Sequence, residues 1–236
     1  MKCEFSETQY MFGVMRELAA RLKPSGGWMA PLFPTQNDEK NLGYDCAFPG
    51  KVRTLYLQFK VPEKKTRSNA THWSDFSTSY YQFKIWDASR TNQHNLLVSL
   101  AQKDPRYRVY YCSPAFISQT DYTNFYLTER IARNSIFVPC KTLPKISGDD
   151  QHHICYTRDP ERYRMYSNPQ VIRGMEWETF LSEVQKSEPY PSLETCLTDI
   201  SQKFEIQLSD FDSPEKMYRE IAAPLLVRHN LHLILF

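Results

Sequence analysis

The chain of 236 residues lacks any apolar run approaching the ~20 residues that a membrane span needs. Its N-terminus, Met1-Lys2-Cys3-Glu4, lacks the apolar core of a signal peptide. A CxxC pair is also missing: Cys3, Cys46, Cys112, Cys140, Cys155 and Cys196 are scattered, which argues against a disulfide framework or a zinc knuckle and for reduced thiols. Charge of one sign is lacking too. With 29 basic against 27 acidic side chains and a net charge of +2, no global field announces a nucleic-acid binder, so any anion site must be local. There is no internal repeat, no low-complexity tract and no RRM, KH or dsRBD signature. These absences predict a cytoplasmic protein without membrane contact and make the sequon Asn69-Ala70-Thr71 a chance match.

What is present is core-forming material: 41% hydrophobic and 14% aromatic residues, enough for one large α/β domain or one domain with an appendage. Ser6 followed by Gln9 reads as an N-cap with a capping-box partner, and Met11, Val14, Met15, Leu18 and Leu22 repeat at helical spacing up to Pro24. Trp28 to Phe33 predicts a short buried strand, and 34–42 a polar connection. Tyr44 to Phe48 and Thr54 to Val61, separated by Pro49-Gly50-Lys51, predict an antiparallel hairpin. A basic loop over 62–79 follows, then a strand from Tyr80 to Trp86, a helix capped by Thr91 through Leu100, and a strand from Tyr107 to Cys112. Further on come a helix around Tyr122 to Arg133, strands at Ser135 to Pro139 and His152 to Tyr156, and helices near 175–187, 192–204 and 214–227. The prolines at 189 and 191 mark a candidate joint at 188–192. The apolar run Leu231 to Phe236 is either a buried final strand or a partner-binding segment.

The chemistry-bearing residues gather around the hairpin. Asp45 opens one strand, and Gln58-Phe59-Lys60 lies on the next, where Gln58 and Lys60 share a face and Phe59 points to the other. A hard divalent cation takes oxygen ligands, which Asp45, the Gln58 amide and the Phe59 carbonyl can supply, while Lys60 can orient a water and offset phosphate charge. Glu7 falls on the apolar stripe of the first helix, four residues before Met11, and is either a further ligand or an acid favouring the helix dipole. Glu39 is the alternative ligand; its plainer reading is a solvated loop acid. A second Gln-Phe-Lys, at Gln82-Phe83-Lys84, has only Asp75 upstream and reads as an amphipathic strand.

These residues, Gly43-Tyr44-Asp45 and then Gln58-Phe59-Lys60, resemble the motif of the PD-(D/E)xK nuclease superfamily, in its Mrr and Holliday-junction-resolvase-like branch. The resemblance implies a restriction-endonuclease-like αβββαβ core over residues 1–115, continued over 116–170, with a helical C-terminal extension over 171–236. It also implies a Mg2+- or Mn2+-dependent endonuclease hydrolysing DNA in bacterial defence or repair, with Asp45, Gln58, Phe59 and Glu7 or Glu39 holding the metal and Lys60 supporting the nucleophile. Arg53, Lys64, Lys65, Arg67 and His94 are candidate phosphate contacts, against the plainer reading of a solvated loop and a helix-surface histidine. His152-His153 and His229-x-x-His232 lack metal-site spacing. Two alternatives stand beside the DNA nuclease: a nuclease-like binding subunit of a larger complex that has lost the chemistry, and a ribonuclease effector. The C-terminal region is the candidate surface for a homodimer or a partner subunit.

Overall fold

The computed structural model describes residues 1–22, 54–85, 93–104, 106–147, 151–166, 169–186, 193–203, 206, 216–218, 220–221 and 234–235. The strands expected at 28–33 and 44–48, the turn at 49–51 and the joint at 188–192 lie outside the described residues. The described part is a mixed α/β structure built on two sheets.

Helix α1 (Glu7–Arg21) starts where the sequence places it: the Ser6 Oγ accepts from the Gln9 N–H at 3.0 Å. The capping box is only half formed, because the Gln9 side chain reaches across to Gln119 instead of back to its own cap. The stripe of Tyr10, Met11, Val14, Met15 and Leu18 is buried against β1 (Thr54–Phe59), β4 (Tyr107–Pro114) and α5 (Trp177–Gln185). Strand β1 pairs in parallel with β4, Gln58 opposite Tyr111 and Phe59 opposite Cys112. A parallel pair needs a crossover, and α3 (Gln93–Lys103) provides it, packing Leu97, Val98 and Leu100 against the sheet. Antiparallel β5 (Ser135–Pro139) and β9 (Ile234–Leu235) complete the order β5-β4-β1-β9, so Ile234 and Leu235 of the C-terminal apolar run pair with β1.

Between β1 and α3 the chain leaves this sheet at Pro62 and enters a second, antiparallel one. Its order is β2 (Glu63–Lys65), β3 (Tyr80–Ile85), β6 (His152–Tyr156), β7 (Tyr163–Tyr166) and β8 (Gln170–Val171). The expected loop over 62–79 is therefore interrupted by β2 and by the single helical turn α2 (Trp73–Phe76). Three charged residues show no apolar alternation, and an edge strand tolerates that because one side stays open to water. The two sheets share a core in which Tyr56, Val109 and Tyr111 meet Tyr81, Phe83, Ile154 and Tyr156. The Tyr156 hydroxyl donates to the Pro114 carbonyl at 2.7 Å and takes the Ser113 hydroxyl at 2.8 Å, tying one sheet to the other.

The helix expected over 122–133 is shorter and earlier: α4 (Gln119–Leu127), capped by Ser118, followed by a 3-10 turn at Ala132–Asn134. Gly13 explains how closely this turn meets α1, since a Cβ there would lie 2.2 Å from the Ile131 Cδ1. One helical turn on, the buried Glu17 carboxylate accepts the N–H groups of Ile131 and Ala132 at 2.7 and 3.0 Å.

The described residues of the C-terminal third are built into both cores rather than appended to them. Phe180 of α5 stacks on Phe137 with ring centres 3.9 Å apart, and Leu197 and Ile200 of α6 (Leu193–Lys203) join the inter-sheet core with Met217 and Ile221. Cys3, Cys112, Cys140, Cys155 and Cys196 carry free thiols, and burial pushes those of Cys112, Cys140 and Cys155 up, which makes them inert packing groups.

Candidate functional site at the end of the parallel strand pair

In open α/β sheets, parallel strands end with their carbonyls at a crevice where crossover helices begin, and this is where ligands collect. The C-terminal end of β1 is such a place, and it carries Gln58, Phe59 and Lys60. Gln58 is buried on the α3 side of the sheet, where its Nε2 donates to the Phe59 carbonyl at 3.2 Å and its Oε1 accepts from Gln93 Nε2 at 2.5 Å. Gln93 is the first residue of α3, so the amide chain joins the end of β1 to the start of the crossover helix. Phe59 points the other way, edge-on to Tyr10 of α1 with ring centres 5.8 Å apart. Lys60 continues the ladder by donating its N–H to the Cys112 carbonyl at 2.9 Å and is half-buried.

Glu7 approaches the same strand end from the α1 side. Burial pushes its carboxyl above the ordinary range, while the Lys60 ammonium and the nearby Val61 N–H dipole hold it down. The structure thus brings Glu7, Gln58, Phe59 and Lys60 to one end of one strand, Gln58 on one face of the sheet and Glu7 coming around from the other. Asp45, Glu39 and Arg53 lie outside the described residues. Amide, carbonyl and carboxylate oxygens form a donor set suited to a hard divalent cation rather than to zinc. Among the described residues there is no group of three or more His, Cys, Asp and Glu side chains that could hold a metal.

Other expected residues fall elsewhere. His94 is not a helix-surface residue: it is buried, its Nε2 bonded to the Pro144 carbonyl at 2.9 Å and its Nδ1 to the Tyr111 hydroxyl at 3.0 Å. A carbonyl can only accept, so the Nε2 carries the proton and neutral Nδ1 accepts from Tyr111. Both nitrogens are committed inside the protein, which corrects the expectation of a phosphate contact. Lys65 and Lys64 stand on an edge strand, not a loop, Lys65 paired with Glu63 at 2.8 Å and Lys64 over the Tyr81 ring. Arg67 is exposed. The second Gln-Phe-Lys lies on β3, antiparallel to both neighbours; Gln82 accepts from the Cys155 thiol at 3.7 Å, and Asp75 accepts from the Tyr166 hydroxyl. His152 is buried and His153 half-buried on β6.

Burial lowers the His94 pKa, the Pro144 carbonyl opposes this, and His152 adds to it. A histidine depressed in the fold contributes stability that is present above its unfolded value of about 6.5 and is lost as the pH falls through the folded value. The melting temperature is therefore expected to fall on acidification below about pH 6.5. His94→Ala is expected to flatten this dependence and to cost about 2–4 kcal/mol at pH 8 by leaving the Tyr111 hydroxyl and Pro144 carbonyl without partners. Thermal melts from pH 8 to pH 5 check both, and an unchanged acid slope in the variant would remove His94 as the cause.

Buried Glu17 and the committed His94 had no signal in residue type or spacing. Their roles depend on partners that are 114 and 50 residues away in the chain. Among the described residues no helix is long and apolar enough to cross a membrane. No protein-family model, curated protein or solved structure matches this chain.

Proposed function

We propose that the protein is a metal-dependent phosphodiesterase acting on DNA, with its site at the C-terminal end of β1 and a core of the restriction-endonuclease-like kind. The observation that carries the reading is the strand bearing Gln58 and Lys60: it is parallel to β4 through the α3 crossover, and the N-terminal turn of α1 brings Glu7 to the end where Lys60 lies. The resemblance to PD-(D/E)xK nucleases rests on the same residues.

In this reading Mg2+ or Mn2+ would be held by the Gln58 amide oxygen, the Phe59 carbonyl, Asp45 of the motif and the Glu7 carboxylate, with Glu39 as the alternative to Glu7. Bound there, the cation would supply Lewis acidity toward the phosphate and a water activated for attack. Gln58 would exchange its bond from Gln93 for that role, and the freed Gln93 amide would keep a donor at the mouth of the site. The Lys60 ammonium would lie against the phosphate, offset the charge that gathers on its non-bridging oxygens, and hold the attacking water in line. Glu7 and Lys60 are both half-buried, and this partial shielding from water strengthens each of these electrostatic contacts.

The test is cleavage of labelled DNA as a function of metal concentration. Asp45→Ala is expected to abolish cutting. Gln58→Glu, which places a second anion at the site, is expected to lower the Mg2+ needed for half-maximal cutting, and Gln58→Ala to raise it. Identical metal curves for wild type, Gln58→Glu and Gln58→Ala would overturn the role of this strand end.

A further inference from the structure

Where β4 ends and β3 begins, a cleft of about 530 Å³ opens along the seam between the two sheets. Lys64 of β2, Arg158 just beyond β6 and Arg162 at the entry to β7 line it, together with Asp121 and Asp159. Two of these charges neutralise each other. Arg162 faces Asp159 at 3.4 Å and spends its Nη1 on the Phe76 carbonyl at 2.9 Å. Arg158 is exposed, with only long contacts of 3.4 and 3.5 Å to the Ala115 carbonyl, and the Lys64 ammonium lies 5.5 Å from the centre of the Tyr81 ring. Lys64 and Arg158 are thus set against a single carboxylate, Asp121, in a cleft that Thr78, Ser79, Tyr81 and Thr157 also line, the Thr157 hydroxyl being committed to the Asp159 backbone. Two cations beside Thr78 and Ser79 around an open volume suit phosphate oxygens. This is also the local concentration of positive charge that a chain of net charge +2 requires if it is to bind an anion at all.

The cleft shares an edge of the molecule with the candidate site. Lys64 follows Lys60 by four residues, and Phe116 and Ile117, which line the cleft, follow β4 directly beyond the Cys112 that is in register with Phe59. Four residues of extended chain span at most about 13 Å, which is the rise of about four phosphates along one strand of a duplex.

We propose that this cleft holds the phosphodiester backbone of the nucleic acid beside the point of cleavage, with Lys64 and Arg158 as its phosphate contacts and Asp121 limiting its affinity. The proposal rests on the phosphodiesterase reading for the class of ligand, but binding and cutting are read separately. Labelled single-stranded and duplex DNA oligonucleotides, and RNA of the same sequences, are titrated with the full chain in chelator while fluorescence anisotropy is followed over a range of salt. Lys64→Gln and Arg158→Ala are each expected to weaken DNA binding about 5- to 10-fold and to lower the slope of log affinity against log salt by about one unit, uniformly across sequences. Asp121→Asn is expected to tighten binding, an effect opposite to that at a site for cationic ligands. Thermal melts confirm that each variant folds.

Wild type that binds no DNA at low salt, or DNA binding whose affinity and salt slope are the same in both cation variants, overturns the cleft; tighter, cleft-dependent binding of RNA than of DNA overturns its assignment to DNA. Cutting assays with Mg2+ run in parallel separate the two readings. Cleft-dependent binding without any cutting keeps the cleft and removes the phosphodiesterase, whereas cutting with unaltered binding in Arg158→Ala and Lys64→Gln removes the cleft alone.

Discussion

Lys60→Ala is expected to reduce metal-dependent DNA cleavage by about 10²- to 10³-fold while leaving the melting temperature nearly unchanged. The two halves of that expectation have separate physical origins. Lys60 is half-buried at the end of β1, and its fold contribution comes from the backbone bond to Cys112, which the substitution keeps. Its charge lowers the Glu7 pKa without closing to an ion pair, and attraction between charges at such a partly solvated position contributes about 0–1 kcal/mol. In catalysis the same ammonium would act on charge that develops only in the transition state, where a fixed donor contributes far more than it does in the ground state. Lys60→Arg is expected to recover part of the loss, since it keeps the charge but spreads it over a planar group that cannot sit as a compact point beside the water. Steady-state rates with saturating Mg2+, set beside thermal melts of the same preparations, make the measurement. A Lys60→Ala enzyme that cuts at the wild-type rate would exclude this strand end as the reacting centre.

Glu17→Ala is expected to destabilise the fold by about 2–4 kcal/mol without altering nucleic-acid affinity. The Glu17 carboxylate holds the backbone N–H groups of Ile131 and Ala132 in a buried setting, at the start of a 3-10 turn whose first amides have no partner within the turn. Removing it leaves two buried donors unsatisfied at about 1–3 kcal/mol each, less whatever solvation the vacated space allows. For a chain of this length the loss corresponds to a drop in melting temperature of about 5–15 °C. Glu17→Gln retains one acceptor oxygen and is expected to cost roughly half as much. Burial raises the Glu17 pKa, and the two N–H groups only partly reverse that. A carboxyl raised in the fold contributes stability that is complete below its unfolded pKa and declines as the pH rises through the folded value, the opposite sense to His94. Denaturant melts at pH 7 check the magnitudes, and a change below about 0.5 kcal/mol in Glu17→Ala would mean that water replaces the carboxylate without loss.

Local patterns in the chain foretell local structure well. The Ser6 cap, the strands at Ser135–Pro139 and His152–Tyr156, and the amphipathic helix at Trp177–Gln185 all follow from residue periodicity, because each element buries one face and the period shows which. What periodicity misses is set by distant parts of the chain. Glu63-Lys64-Lys65 becomes a strand only because Tyr80 to Gln82 lies beside it. Glu17 is buried because Gly13 admits Ile131 to the same face of α1. His94 turns inward because the Pro144 carbonyl and the Tyr111 hydroxyl await it there. The candidate site divides along the same line. That Gln58 and Lys60 share a strand end is legible from alternation alone, and Glu7 could be proposed from its place on the helix stripe. The bond from Gln93 to Gln58 and the cleft at Arg158 were not legible, since both arise where elements far apart in sequence meet.

The central claim is tested most directly by incubating labelled linear, circular and branched DNA, and RNA, with the full chain in Mg2+, Mn2+ or chelator, beside Asp45→Ala. The account predicts DNA cleavage that requires the divalent metal and vanishes in the variant. Cleavage that persists in chelator or in Asp45→Ala, or DNA left intact under every metal condition, would contradict it.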